Sequence, residues 1–117
     1  MGRAFRVLVV EDEAYTSLDI EGELGAHGIS VIGPARSRDE ALALIGRETI
    51  DAAVLDFQLS GGHSIAVADA LAERGIPFMF LTGHSEAVLP ARHKTRPFYT
   101  KPFPLPLLAS TLKSLTS

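Results

Sequence analysis

The stretch Ala52-Ala53-Val54-Leu55-Asp56 decides how this chain folds. Four apolar residues in unbroken succession, too few for a helix, read as a strand covered on both faces, and the run closes on a carboxylate. Working outward, the same pattern recurs. Phe5 to Val10 is an apolar run followed by Glu11-Asp12-Glu13, Ile76 to Leu81 runs into Thr82, and Arg96 to Thr100 runs into Lys101-Pro102. A further short run, Ile29 to Ile32, is closed by Gly33-Pro34.

Amphipathic segments fill the intervals. Ala14 to about His27 offers Leu18, Ile20 and Leu24 for burial and stops at Gly28. Ser37-Arg38-Asp39-Glu40 has the spacing of a capping box ahead of an apolar stripe of Ala41, Leu44 and Ile45. Ser64 is placed to cap a helix through Arg74, with Val67, Ala70 and Leu71 inward. Pro104 to Pro106 opens a last helix carrying Leu105, Leu108, Leu112 and Leu115 on one face. Strands alternating with helices predict a parallel sheet with crossover helices, five units in all. The fourth crossover is the exception: Gly83 to Pro97 carries Pro90, Pro97 and the basic residues Arg92, His93, Lys94 and Arg96, leaving only Ser85 to Leu89 helical. One turn or a mobile loop is expected there, with the basic cluster either solvated or facing an acidic protein partner.

The 117 residues suit one domain, and 46% hydrophobic residues can build a core without staples. The absence of cysteine excludes a thiolate nucleophile, a zinc knuckle and an iron–sulfur centre. A net charge of -3 argues against a surface-wide nucleic-acid footprint. The N-terminus has no signal-peptide pattern and no run approaches the ~20 apolar residues of a membrane span. A cytoplasmic protein with no membrane contact is the expectation.

In an open parallel sheet, sites form beyond the carboxyl ends of the strands. Glu11, Asp12, Asp56, Thr82 and Lys101 all fall there. Taken singly, each has a structural explanation as a cap, a turn former or a surface residue. Taken together they are complementary. Three carboxylates in one place repel unless a cation is bound. An oxygen-only set suits Mg²⁺, while Thr82 and Lys101 could stabilise the oxygens of a transferring phosphoryl group, with Asp56 as its nucleophile.

On these residues the chain resembles the receiver domain of two-component response regulators. The resemblance rests on Val9-Val10-Glu11-Asp12-Glu13, Ala53-Val54-Leu55-Asp56 with the Gly61-Gly62 loop, Phe80-Leu81-Thr82-Gly83, and Phe98-Tyr99-Thr100-Lys101-Pro102-Phe103. It implies a CheY-like, flavodoxin-like (βα)5 sandwich with sheet order 2-1-3-4-5 and a shortened or disordered fourth helix, spanning residues 1–117. It implies Asp56 as phosphoacceptor, Asp12 as a direct Mg²⁺ ligand, Glu11 as a ligand through water, and the Gln58 main-chain carbonyl as a further ligand. Thr82 would bond the phosphoryl group, Lys101 would pair with it, and the Lys101-Pro102 peptide would be cis. Phe98 would turn toward the space that Thr82 vacates, whereas Tyr99 faces the opposite way by strand alternation. Gln58 and His84 are expected to tune water access to the acyl phosphate.

The interval from Thr82 to Lys101 is short for the family, and Phe80-Leu81-Thr82-Gly83-His84-Ser85 is similar to a Phe-Ala-Thr-Gly type subgroup of stand-alone receivers. That subgroup implies a sensor histidine kinase of the HWE or HisKA2 type, or a phosphotransfer protein, as partner. A stand-alone receiver without an effector segment is expected, with output through another protein, and a phosphorylation-dependent dimer is compatible with this. Catalysis would be limited to the chain's own phosphorylation and slow dephosphorylation. The rival readings are an aspartyl-nucleophile phosphatase, which would want an acid where Gln58 stands, a flavodoxin-like carrier, whose phosphates Glu11-Asp12-Glu13 would repel, and a receiver-like adaptor that is never phosphorylated.

Overall fold

The computed structural model describes residues 4–59, 61–83 and 89–116. Their elements run β1 (Arg6–Val10), α1 (Ala14–Ala26), β2 (Ser30–Ala35), α2 (Arg38–Arg47), β3 (Ala52–Leu55), β4 (Gln58–Leu59), β5 (Gly62–His63), α3 (Ile65–Glu73), β6 (Phe78–Thr82), a 3-10 turn (Ala91–His93), β7 (Phe98–Thr100), a second 3-10 turn (Leu105–Leu107) and α4 (Leu108–Ser114). Among the described residues, five strands form one parallel sheet in the order β2-β1-β3-β6-β7. With the small antiparallel β4–β5 pair set aside, this is the expected flavodoxin-like order.

Alternation along the strands divides the core in two. Leu8, Val10, Leu55, Phe78 and Phe80 pack with Ile45 of α2 and Val67 and Leu71 of α3. Val7, Val9, Val54, Met79 and Leu81 pack with Ile20 and Leu24 of α1 and Leu108 and Leu112 of α4. Ala52–Leu55 is buried at every position because helices cover both faces, which is why its sequence does not alternate. Burying each large aliphatic or aromatic side chain here contributes about 1.5–3 kcal/mol.

Several boundaries differ from the sequence reading. Strand β2 does not stop at Gly33-Pro34 but continues to Ala35 through an irregularity opposite Leu8 and Val10. Gly33 makes this possible: its φ is +96°, and a Cβ there would lie 2.6 Å from the Ala35 nitrogen. The Gly33-Pro34 peptide is cis, as is Lys101-Pro102. Ser64 does precede α3, but its buried hydroxyl has no hydrogen-bond partner among the described residues, so it supplies no cap bond. In the capping box ahead of α2, Ser37 Oγ accepts from the Glu40 amide at 3.2 Å. The last helix opens with a 3-10 turn, so α4 begins only at Leu108.

The helical turn expected at Ser85 to Leu89 lies, apart from Leu89, outside the described residues. Beyond it the basic cluster is only partly solvated, with Arg92 and Lys94 exposed and His93 turned inward. His93 is 2% exposed, and Arg92 and His93 both bond Asp69 of α3. Arg96 lies over the Phe78 ring at 4.5 Å. Aromatic rings on β6 and a carboxylate on α3 have drawn the segment inward.

Candidate functional site

Strand register brings the polar residues together. Val10, Leu55, Phe80 and Phe98 form one row across β1, β3, β6 and β7. Residues just past this row share one edge of the sheet. The Asp56 amide donates to the Val10 carbonyl at 2.9 Å, the Glu11 amide to the Ala35 carbonyl at 2.9 Å, and the Lys101 amide to the Thr82 carbonyl at 2.8 Å. The bulge in β2 is therefore part of the site, since it sets Ala35 opposite the acidic turn.

The triplet Glu11-Asp12-Glu13 divides its labour. Glu13 is the N-cap of α1, accepting from the Tyr15 and Thr16 amides at 3.1 and 2.6 Å. The Thr16 hydroxyl and these amides hold its carboxyl below the usual carboxylate range. Glu11 instead points into the protein, 2% exposed, beside the nearly buried Asp56. Glu11, Asp12 and Asp56 each offer a carboxylate oxygen within 4.8 Å of the others.

Lys101 answers two of these charges. Its Nζ donates to Glu11 Oε1 at 2.6 Å and to Asp56 Oδ2 at 3.1 Å. Burial pushes the Glu11 pKa up, and the Asp56 charge adds to this, more than Lys101 can offset. For Lys101, burial opposes the charge, but the hydrogen bond to Glu11 and the charges of Asp56 and Glu11 prevail and raise its pKa. The cluster thus holds more negative than positive charge in a partly desolvated place. An all-oxygen donor set of this kind fits a hard divalent cation, and Glu11, Asp12 and Asp56 are the side chains that could hold Mg²⁺.

Thr82 is fully buried at the end of β6, beside Thr100 in register. Phe98 is half-buried, its ring 6.0 Å from that of Phe80. Tyr99 lies on the other face, edge-on to Phe103 at 5.1 Å. Gln58 sits in the β4–β5 hairpin, where its side-chain amide donates to the Gly62 carbonyl at 3.3 Å and its backbone amide faces Asp56 Oδ1 at 3.4 Å. That side chain is engaged in the hairpin, which Gly61 and Gly62 close at positive φ. His84 lies outside the described residues.

Two contacts at the site escaped the sequence. Arg36, just past the β2 bulge, donates to the Asp12 main-chain carbonyl at 3.2 Å. The β4–β5 pairing is too short to leave a period, and only Gly61-Gly62 hinted at it.

Comparison with known proteins agrees with this geometry. Residues 7–113 match the family described as the response regulator receiver domain. The phyllosphere-induced regulator PhyR of Methylorubrum extorquens is 34% identical over 86% of this chain. The transcriptional regulatory protein PdtaR of Mycobacterium tuberculosis is 29% identical over 84%. The chain spans only 39% of the first of these relatives and 50% of the second. Among solved structures, SdrG from Sphingomonas melonis Fr1 superposes with a TM-score of 0.83 at 37% identity, with all of both chains covered. PhyR from Brucella abortus superposes at 0.81 with 31% identity, over 97% of this chain and 48% of that one. Among the described residues, no helix is long and apolar enough to cross a membrane. With the sheet order, the acidic cluster and the Lys101 bridge in place, the chain belongs to the response regulator receiver domain family of two-component systems.

Proposed function

We propose that this chain accepts a phosphoryl group on Asp56 from a histidine kinase or phosphotransfer protein and signals through protein contacts. The observation that carries the reading is the Lys101 bridge: one ammonium within hydrogen-bond reach of both Glu11 and Asp56, inside a cluster of three carboxylates. An Asp56 oxygen attacks phosphorus, the bond from phosphorus to the donor histidine nitrogen breaks, and its electron pair leaves with the imidazole, which takes up a proton. Lys101 and the Thr82 hydroxyl are assigned to the phosphoryl oxygens, where they stabilise charge as it develops. Asp12, Asp56 and the Gln58 main-chain carbonyl, with Glu11 through water, would hold Mg²⁺, and the ion would supply neutralisation of that charge. The chain acts on itself and turns over no external substrate.

A solved relative supports the reading. SdrG, described in a BeF3-activated conformation, is 36% identical over the whole chain and superposes at a TM-score of 0.79. Beryllofluoride is a chemical stand-in for a phosphoryl group on a carboxylate. Partner docking is supported by α1, which exposes Tyr15 beside the acidic turn. It also exposes Leu18, a residue expected from the sequence to be buried but turned outward while Ile20 and Leu24 fill the core. The Phe80-Leu81-Thr82-Gly83 motif makes a sensor histidine kinase of the HWE or HisKA2 type the proposed donor, and the cytoplasm is the proposed location. Incubation with acetyl phosphate and Mg²⁺ tests the proposal: an alkali-labile adduct is expected, and no adduct at any Mg²⁺ concentration would overturn it.

A further inference from the structure

Asp69, on the exposed side of α3, gathers both members of the Arg92-His93 pair. Its carboxylate takes a two-pronged contact from Arg92, at 2.8 and 2.9 Å, and lies 2.7 Å from His93 Nε2. His93 is the interior end of this cluster. Its ring is buried, edge-on to Phe78 at 5.7 Å and to Phe80 at 6.5 Å, and its Nδ1 has no hydrogen-bond partner among the described residues. Phe80 in turn contacts Phe98. A continuous chain of contacts therefore runs from Asp69 through His93 and Phe80 to Phe98, the ring assigned to move when Asp56 is modified.

Among the described residues, the surrounding segment has further anchors at its two ends and one short turn between them. Its helical content is one 3-10 turn, held by the His93 amide to the Pro90 carbonyl and the Lys94 amide to the Ala91 carbonyl. Leu89 reaches the core, and Arg96 stacks on Phe78. A buried imidazole with one unpartnered nitrogen stays in place only if the other nitrogen is well bonded, and Asp69 provides that bond.

We propose that Asp69, acting through His93, is a latch that fixes residues 89–96 on α3 and biases Phe98 toward its half-exposed position. Packed aromatic rings rearrange between discrete states rather than deforming, so a carboxylate that pins one wall of the cluster shifts the balance between those states. Asp69 is a positioning residue and does not touch the reacting atoms. The latch stands on geometry alone; its part in the switch rests on the phosphoryl-receiver reading.

The test compares the wild-type chain with Asp69→Asn, and with Arg92→Gln as a milder variant that leaves His93 its partner. Amide exchange is read at Phe80 and Lys101, whose N–H groups bond across β6 and β7, against those of β1 and β3. In Asp69→Asn, exchange at Phe80 and Lys101 accelerates about tenfold, with β1 and β3 unchanged, while Arg92→Gln gives a smaller effect. Asp56 phosphorylation by acetyl phosphate becomes severalfold faster in Asp69→Asn. Unchanged exchange would overturn the latch, and faster exchange with unchanged or slower phosphorylation would overturn its part in the switch. If the wild-type chain takes no phosphoryl group, the receiver reading fails, and exchange still decides the latch.

Discussion

Lys101 Nζ lies 2.6 Å from Oε1 of Glu11, a residue 90 positions earlier in the chain. The contact needs β1, β3, β6 and β7 side by side in that order. Its energetic meaning follows from burial. Glu11 is almost fully enclosed, so its charge is tolerable only with a cation at hand.

Replacing that cation exposes the cost. In Lys101→Met the Glu11 and Asp56 charges lose their partner, and unfolding in urea is expected to come about 1–3 kcal/mol earlier. Asp56 phosphorylation by acetyl phosphate should fall about 100-fold, since a preorganised charge is lost from the transition state. A variant as stable and as reactive as the parent would remove Lys101 from the account.

Relief of carboxylate repulsion by a metal should register as heat stability. At about 100 times its Kd, Mg²⁺ adds about 2.7 kcal/mol by mass action, raising the Tm of a domain this size by roughly 10 °C. Asp12→Asn should abolish most of the rise. Calorimetry with and without Mg²⁺ checks both, and an unchanged Tm in the parent would contradict the metal assignment.

The β2 bulge gives a prediction about stability alone. At Gly33, φ is +96° and a new Cβ would meet the Ala35 nitrogen at 2.6 Å and the Val9 carbonyl oxygen at 3.1 Å. Both are backbone and neither can swing aside. Gly33→Ala should cost about 2 kcal/mol or more, read as a lower urea midpoint. A midpoint equal to the parent's would mean that the strand end relaxes freely.

Acid titration tests the α3 cluster. The Arg92 hydrogen bonds, with that of His93, hold Asp69 at about 2, below its ordinary 3.8. Arg92 and His93 are the groups facing it from the 3-10 turn. A depressed folded-state pKa stabilises the fold above the unfolded value, and that contribution drains away as the pH falls through 3.8 toward 2. The parent should therefore exceed Asp69→Asn in stability at pH 5, by a margin that narrows by pH 3. A constant margin in urea titrations would show that Asp69 does not act through its charge.

What the sequence made legible were features repeated at many positions. The apolar runs at β1, β3 and β6 and the polar residue closing each one specified a parallel sheet and its functional edge, because parallel strands align their carboxyl ends, while the strand order followed from the resemblance to receiver domains. Glu11, Asp12, Asp56, Thr82 and Lys101 meet for that reason. Contacts that depend on a local irregularity were illegible. Gly33-Pro34 looked like the end of a strand because its residue types favour turns, yet the pairing resumes at Ala35. His93 looked solvent-facing because nothing local marks Asp69, on a different helix, as its partner. Glu13 could have been read as the cap, since an acid in that place commonly is one.

Everything proposed for this site turns on Asp56 as the residue that takes the phosphoryl group. Intact mass spectrometry of the parent and Asp56→Asn, each incubated with acetyl phosphate and Mg²⁺ and then exposed to alkali, tests it most directly. One phosphoryl mass is expected on the parent, removed by alkali, and none on Asp56→Asn. An unmodified parent, or an equal adduct on Asp56→Asn, would contradict it.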